Sequence, residues 1–483
     1  MQDFVVLINL DDGVCHGLAR RLRAEDVYCR ILPGNVPADE VLAADPRGVI
    51  LAIGCSGEAA EIPQMMDYVQ MGLPMLCLGD AALTLCTALG GTLSAAAEGG
   101  IVSVAFDQED ALFNGVEDGE RFLPAWQAME FPASQGDISA VADDEVIGFR
   151  VRQREVYGLA FPLERNDPAT ARLLVNFCCT KCGCTQWWTE RAFIEGAKDA
   201  IIEAAEGGDA LCALSGGVDS GVSALLGNLA LGQQLHCIFV DTGLLREGEA
   251  DEVMEAYQQQ LSLNVRRIDA RAEFLLALKG VTDPGEKERI IRSLLRDILS
   301  KEAAALPGVK LILKGTNYAD DIAPEDHVPL TNGVKVIEPV RELFKDEIRH
   351  IGESLGLAPA MISRQPFPGS GLANRIMASV TAERLAILRT ADAIFRREIE
   401  AAGLPKRLWQ YFAALAVSPL PGGGLMIVLR AVQAVEGGSG MPARIPSDLL
   451  ERVTEEIMQE CPDVQRVFYD CTPSKTYARL AGK

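Results

Sequence analysis

The stretch LCALSGGVDSGVSALL, residues 211–226, carries the residue types that handle phosphate. An apolar run ends at Ser215, two glycines follow, and Val218-Asp219-Ser220 opens a helical pattern. Backbone N–H groups then converge at a helix N-terminus, where the dipole favours an anion. Gly216 and Gly217 let the backbone approach a phosphate closely, the hydroxyls of Ser215 and Ser220 are donors, and Asp219 suits a Mg²⁺ ion. A glycine-rich turn with a capping Asp or Ser is the plainer reading of any two glycines. The full S-G-G-V-D-S at a strand-to-helix junction is far more specific, and it is not a Walker loop, which needs G-x-x-x-x-G-K-[ST].

A second stretch is notable for what is missing. PMLCLGDAALTLCTALGG, residues 74–91, has the layout of a nucleophile elbow, a sharp strand-to-helix turn that presents a reactive side chain, yet Gly79 stands at its apex. Cys77 takes that place only if the strand is two residues shorter and the helix two longer. A base is also lacking, because the histidines are His16, His236, His327 and His350 and none lies between residues 17 and 235. The run Cys178, Cys179, Cys182, Cys184 is too tightly spaced for a usual zinc knuckle, so reduced core thiols are the main reading and a metal site the lesser one.

The elements that must position these residues alternate along the chain. The first ~190 residues alternate short apolar runs with helical stretches (FVVLINL, VCHGLARRLRAE, VILAIG, LPMLCLG), the rhythm of an α/β domain on a parallel sheet, and a β-rich section follows them. After the amphipathic TERAFIEGAKDAIIEAAEGG, a second α/β alternation runs to RQPFPGSG, residues 364–371. The remainder, with the helical TAERLAILRTADAIFRREIEAAG and the strands LMIVLRAV and VQRVFYD, reads as a small α+β domain. At 483 residues, 48% hydrophobic and 23% charged, the chain has room for roughly three domains, each with its own core. A net charge of −23 repels a polyphosphate backbone and argues against nucleic-acid partners. No apolar run is long enough to span a membrane and the first residues lack a basic start, so a cytoplasmic location is expected.

The loop resembles the pyrophosphate loop of the N-type ATP pyrophosphatases, which attack the α-phosphate of ATP. CIFVDTGLLREGEADEV (237–253), GVTDPGEKERII (280–291), KGTNYADDI (314–322), IEPVRELFKDEIR (337–349), PFPGSGLANR (366–375) and LRTADAIF (388–395) are, in this order, similar to segments of the GMP synthetases. That resemblance implies three parts: a class I glutamine amidotransferase-like α/β domain (1–190), a doubly wound parallel-sheet ATP pyrophosphatase domain (191–365) and a small α+β dimerisation domain (366–483). It also implies ATP and Mg²⁺ as cofactors, and a homodimer joined through the last domain. The acceptor would be a carbonyl compound such as xanthosine monophosphate (XMP), adenylated and then aminated by ammonia. Ser215, Gly216, Gly217, Val218, Asp219, Ser220 and Gly315 would hold ATP, with Asp219 also on the metal. Asp241, at the end of the strand CIFVD, lies where an α/β sheet opens its ligand crevice and would contact ATP or its metal. Asp219 and Lys345 are the candidate catalytic residues, Lys345 and Lys314 candidate phosphate cations, and Arg375 and Lys475 candidate substrate residues.

In that family the elbow is G-x-C-x-G and the base is presented as H-P-E. The matching positions here are Gly79 and AFPLER, with Pro162, Leu163 and Glu164, so only the carboxylate remains. Loss of nucleophile and base together should cost on the order of 10⁶ in rate, and glutamine is therefore not expected to serve as nitrogen donor. The segment after DDIAPEDH is also shorter than the family's lid, and the C-terminal DCTPSKTYARLAGK keeps little of its phosphate-holding tail, so weak XMP binding is expected. Sulfur transfer by the same activation and a non-catalytic nucleotide-binding homologue are the alternatives. An intact pyrophosphate cradle disfavours the second of these.

Overall fold

The computed structural model describes residues 3–161, 168–306, 308–318, 334–362, 364–365, 367, 369–418, 423–434 and 440–473. The chain divides into two compact units, Met1–Phe193 and Ile194–Lys483. Among the described residues, no helix is long and apolar enough to cross a membrane.

The first unit is built on one nine-stranded sheet. Its parallel half runs Cys29–Pro33, Val5–Asn9, Gly48–Ile53, Met75–Gly79 and Val156–Leu159. The four strands inside the edge strand Cys29–Pro33 are nearly continuous apolar runs, as parallel strands covered on both faces must be. The β-rich stretch continues this sheet through Glu145–Val151 and Gly136–Ala142, and Gly100–Phe106 and Gly119–Leu123 extend it further, each antiparallel to its neighbour. The hairpin geometry explains it: Val156–Leu159 pairs in parallel with Met75–Gly79 and carries its antiparallel partner into the same sheet. Asp11 caps the helix Asp12–Ala24 by accepting from the N–H groups of Gly13 and Val14.

The second unit holds two sheets. Five parallel strands run in the order Val265–Asp269, Leu235–Asp241, Asp209–Leu214, Val309–Leu313 and Lys335–Ile337. The order reverses about Asp209–Leu214, so the carboxyl end of that strand opens on the crevice where open α/β sheets bind ligands. Strands Gln410–Val417, Leu425–Ala434, Gly440–Pro442 and Val464–Tyr469 form the other sheet, with helices Ala382–Ala401 and Ser447–Glu460. Phe274 and Ile291 share one buried apolar cluster with Leu388, Phe395, Leu415 and Leu429, so the unit has a continuous core across both sheets.

Candidate active site

Strand Asp209–Leu214 delivers Ser215 to the start of helix Val218–Leu231. Gly216 turns the chain with φ +79°, a conformation that glycine adopts without a Cβ penalty, and extended Gly217 caps the helix. The two serines mostly stabilise the turn itself. The Ser215 N–H donates to Ser220 Oγ (3.1 Å), Ser220 Oγ donates to the Gly217 carbonyl (3.1 Å), and the two hydroxyls lie 3.0 Å apart. The Gly217 N–H reaches Ser215 Oγ at 3.3 Å. The hydroxyls expected to face phosphate are thus engaged within the loop, because a turn this tight must satisfy its own backbone groups. Val218, the first residue of the helix, is buried.

Asp219 lies in the first turn and gathers residues from distant segments. Its Oδ2 pairs with Lys345 Nζ and accepts from Asn317 Nδ2 at 3.3 Å, while Oδ1 is buried without a hydrogen-bond partner. Lys345 begins the helix Lys345–Ser354 and stays 38% exposed, against 16% for Asp219. Asn317, which sequence reasoning passed over inside KGTNYAD, is fixed in turn by Arg341, whose Nη1 donates to its carbonyl at 2.9 Å. Gly315 lies against the loop: a Cβ there would lie 2.5 Å from the Ser220 nitrogen and 2.6 Å from its Cα. Lys314 bonds through its backbone N–H to the Ile337 carbonyl at 3.0 Å, extending the sheet edge toward the loop.

Asp241 ends its strand at the expected edge, but its carboxylate is committed. It accepts from the Gly243 N–H (3.0 Å) and from Arg267 Nη2 (2.6 Å). Arg375 differs more from expectation. It is fully buried, its guanidinium 3.3 Å from Asp392 and stacked 5.1 Å from the centroid of Phe367 and 4.4 Å from that of Phe412. Burial pushes that guanidinium down to about 10, against the pull of Asp392. A cation enclosed this way packs into the core and has no open face, unlike the accessible phosphate ligand expected, although its Nε and Nη2 have no hydrogen-bond partner. Lys475, Pro162 and Glu164 lie outside the described residues.

In the first unit, the strand Met75–Gly79 does turn sharply into the helix Asp80–Ala88, and Gly79 holds φ +62° and ψ −134°. A Cβ there would lie 2.0 Å from the Ile53 carbonyl oxygen and 3.3 Å from Cys55 Sγ. The segment after Ile53 is tied down, since Asp80 accepts from both the N–H (2.8 Å) and the Oγ (2.6 Å) of Ser56. Cys77 is fully buried within the strand, and burial pushes its thiol well above the ordinary range, so it presents no nucleophile. Cys178, Cys182 and Cys184 are buried too, and Cys182 Sγ occupies the place a Gly48 Cβ would take, 2.3 Å away. Among the described residues, no group of three or more His, Cys, Asp or Glu is arranged to hold a metal.

The family model for the GMP synthase C terminal domain matches residues 397–478. Over 98% of this chain and 98% of their own length, it is 36% identical to the GMP synthase [glutamine-hydrolyzing] of Caldicellulosiruptor saccharolyticus and 35% identical to that of Geobacillus kaustophilus. A third relative of the same name, from Caldanaerobacter subterraneus, is 35% identical over 98% of this chain and 97% of its own. With identity at this level spread over both units, the chain belongs to the GMP synthase family.

Proposed function

We propose that the protein is an AMP-forming ligase that uses ATP to activate a carbonyl oxygen, in the first instance that of XMP, and completes the reaction with free ammonia. The carrying observation is the convergence of Asn317, Lys345 and Gly315 on the Ser215–Ser220 loop, the first two at Asp219 and the third at Ser220. In this reading the loop N–H groups and Lys345 bind the β- and γ-phosphates that leave as pyrophosphate. Asp219 fits a Mg²⁺ ion, because Oδ1 is a buried carboxylate oxygen with no hydrogen-bond partner. One protein carboxylate is enough where phosphate oxygens and water complete the shell. Bound with ATP, the ion supplies charge neutralisation at the phosphates. The chain's own work is to orient the α-phosphate toward the acceptor oxygen and to stabilise the leaving group.

The first unit supports ammonia in place of glutamine. Gly79 offers no nucleophile, Cys77 is sealed in its strand, and the Ile53 carbonyl fills the space a side chain at 79 would need. The same reading assigns residues 1–190 to a retired amidotransferase domain, 191–365 to the pyrophosphatase domain and 366–483 to a dimerisation domain. The division of the chain after Phe193 supports the first of these limits.

The test supplies purified protein with Mg²⁺, ATP and XMP, and either ammonium chloride or glutamine. AMP and pyrophosphate in equal amounts, with GMP formed from ammonia only, is the expected result. ADP and phosphate as products would overturn the activation chemistry, and glutamate release at the rate of ATP turnover would overturn the choice of donor.

A further inference from the structure

Arg364 lies in the segment RQPFPGSG, far in sequence from the pyrophosphate loop, and its guanidinium reaches into that loop. Nη1 donates to the Gly216 carbonyl at 2.8 Å and Nη2 to Glu249 Oε1 at 2.6 Å. Glu249 is buried and held from its other side, Oε2 accepting from the Arg246 N–H at 2.7 Å. Arg364 itself is 19% exposed in its side chain. The neighbouring Gln365 accepts from the Tyr411 N–H at 3.3 Å through Oε1, which pins the same segment to the C-terminal sheet.

The contact matters because of the peptide it grips. The plane between Gly216 and Gly217 is flanked by two residues without side chains, so it turns over more easily than any other in the loop. Turned one way it offers an anion the Gly217 N–H; turned the other way it offers the Gly216 carbonyl, which repels phosphate. The following carbonyl, of Gly217, is held by Ser220 Oγ (3.1 Å) and by the Tyr257 hydroxyl (3.4 Å). Arg364 holds that of Gly216, so both glycine carbonyls are occupied by donors. A charge-assisted bond on a partly buried guanidinium, itself fixed by a buried carboxylate, is the strongest of these restraints.

We propose that Arg364 is a positioning residue, clamped by Glu249, that fixes the Gly216–Gly217 peptide with its carbonyl on the Arg364 side and its N–H toward Ser215 Oγ (3.3 Å), an acceptor that pyrophosphate displaces, and ties that orientation to the segment entering the C-terminal sheet. The proposal rests on the nucleotide reading above. Lysine is a poor substitute, having a point charge that cannot make both contacts in one plane.

Calorimetric titration of Mg·ATP and of Mg·pyrophosphate into the full chain tests it, because affinity and site number are read separately. Arg364→Met should weaken both ligands about tenfold at unchanged site number, since one charge-assisted contact no longer sets the loop. Arg364→Lys should recover part of that loss, and Glu249→Gln, which loosens the clamp and keeps its volume, should weaken binding about threefold. A merely structural role would lower site number and melting temperature and leave the affinity of the remaining sites unchanged, which overturns the proposal. So does unchanged affinity in a folded Arg364→Met. If that variant does not fold, unchanged affinity in both Arg364→Lys and Glu249→Gln has the same force. A parent protein that binds neither ligand refutes the nucleotide reading itself, whereas a parent that binds both and variants that bind equally refute only the clamp.

Discussion

Gly79→Cys restores the residue that the elbow layout requires, and the structure predicts that it harms the protein without reviving glutaminase activity. Two costs add. A side chain at φ +62°, ψ −134° sits in a region that residues with a Cβ rarely adopt, worth about 1–3 kcal/mol. The Cβ would also lie 2.0 Å from the Ile53 carbonyl oxygen, a backbone atom whose retreat is opposed by the bonds between Ser56 and Asp80. Overpacking of this kind costs about 1–3 kcal/mol. The total of about 2–6 kcal/mol corresponds to a fall of roughly 4–24 °C in the melting transition of a unit of this size. Gly79→Ala should cost nearly the same, because the expense lies in the Cβ and not in the thiol. The assay combines thermal unfolding with glutamate release from glutamine, in the presence and absence of ATP and acceptor. A Cys variant that melts within a degree or two of the parent would show that the loop after Ile53 gives way freely. One that releases glutamate would show that a base has been overlooked.

Three further outcomes are expected. Asp219→Asn should reduce AMP and pyrophosphate formation by about 10²–10³-fold with the melting temperature nearly unchanged, since the side chain is only partly buried and its partner Lys345 can turn to water; activity within threefold of the parent refutes the assigned role. Gly315→Ala forces the backbone at 315 and 220 apart and should cost about 1–3 kcal/mol together with most of the ATP affinity, measured by unfolding and by calorimetry. In the first unit, burial works against ionised Asp110, but hydrogen bonds from Lys181, the Leu112 N–H and Tyr157 outweigh it and hold the carboxyl below its ordinary value of 3.8. A folded value below the unfolded one gives stability that is present above about pH 4 and lost as pH falls through the lower folded value. Acid unfolding should therefore steepen below about pH 4, and Asp110→Asn, less stable at neutral pH, should flatten that limb.

Much of the site was legible because it is local. The cradle from Ser215 to Ser220 is made by six consecutive residues at a strand-to-helix junction, and hydrogen bonds two to five residues apart determine its shape. The vacancy at Gly79 is likewise a matter of residue type, and so is the absence of histidine from residues 17–235. The strand runs of both α/β regions were readable from apolar periodicity. What pairs across long separations was not. Lys345 and Asn317 meet Asp219 from 126 and 98 residues away, and Arg364 meets Gly216 from 148, which no spacing in the chain encodes. Arg375 looked like a phosphate ligand because an arginine's type reports its charge and not its burial. Packing against Phe367, Phe412 and Asp392 assigned it to the core. The sequence by itself determined which residue types stand at the Ser215–Ser220 loop and which are missing at the elbow, since those depend on side-chain type and order along the chain. Only the tertiary structure decided which cations stand beside the loop, which carbonyl fills the empty elbow and which charges are sealed away, because burial and long-range contact arise from how the sheets and helices close on one another.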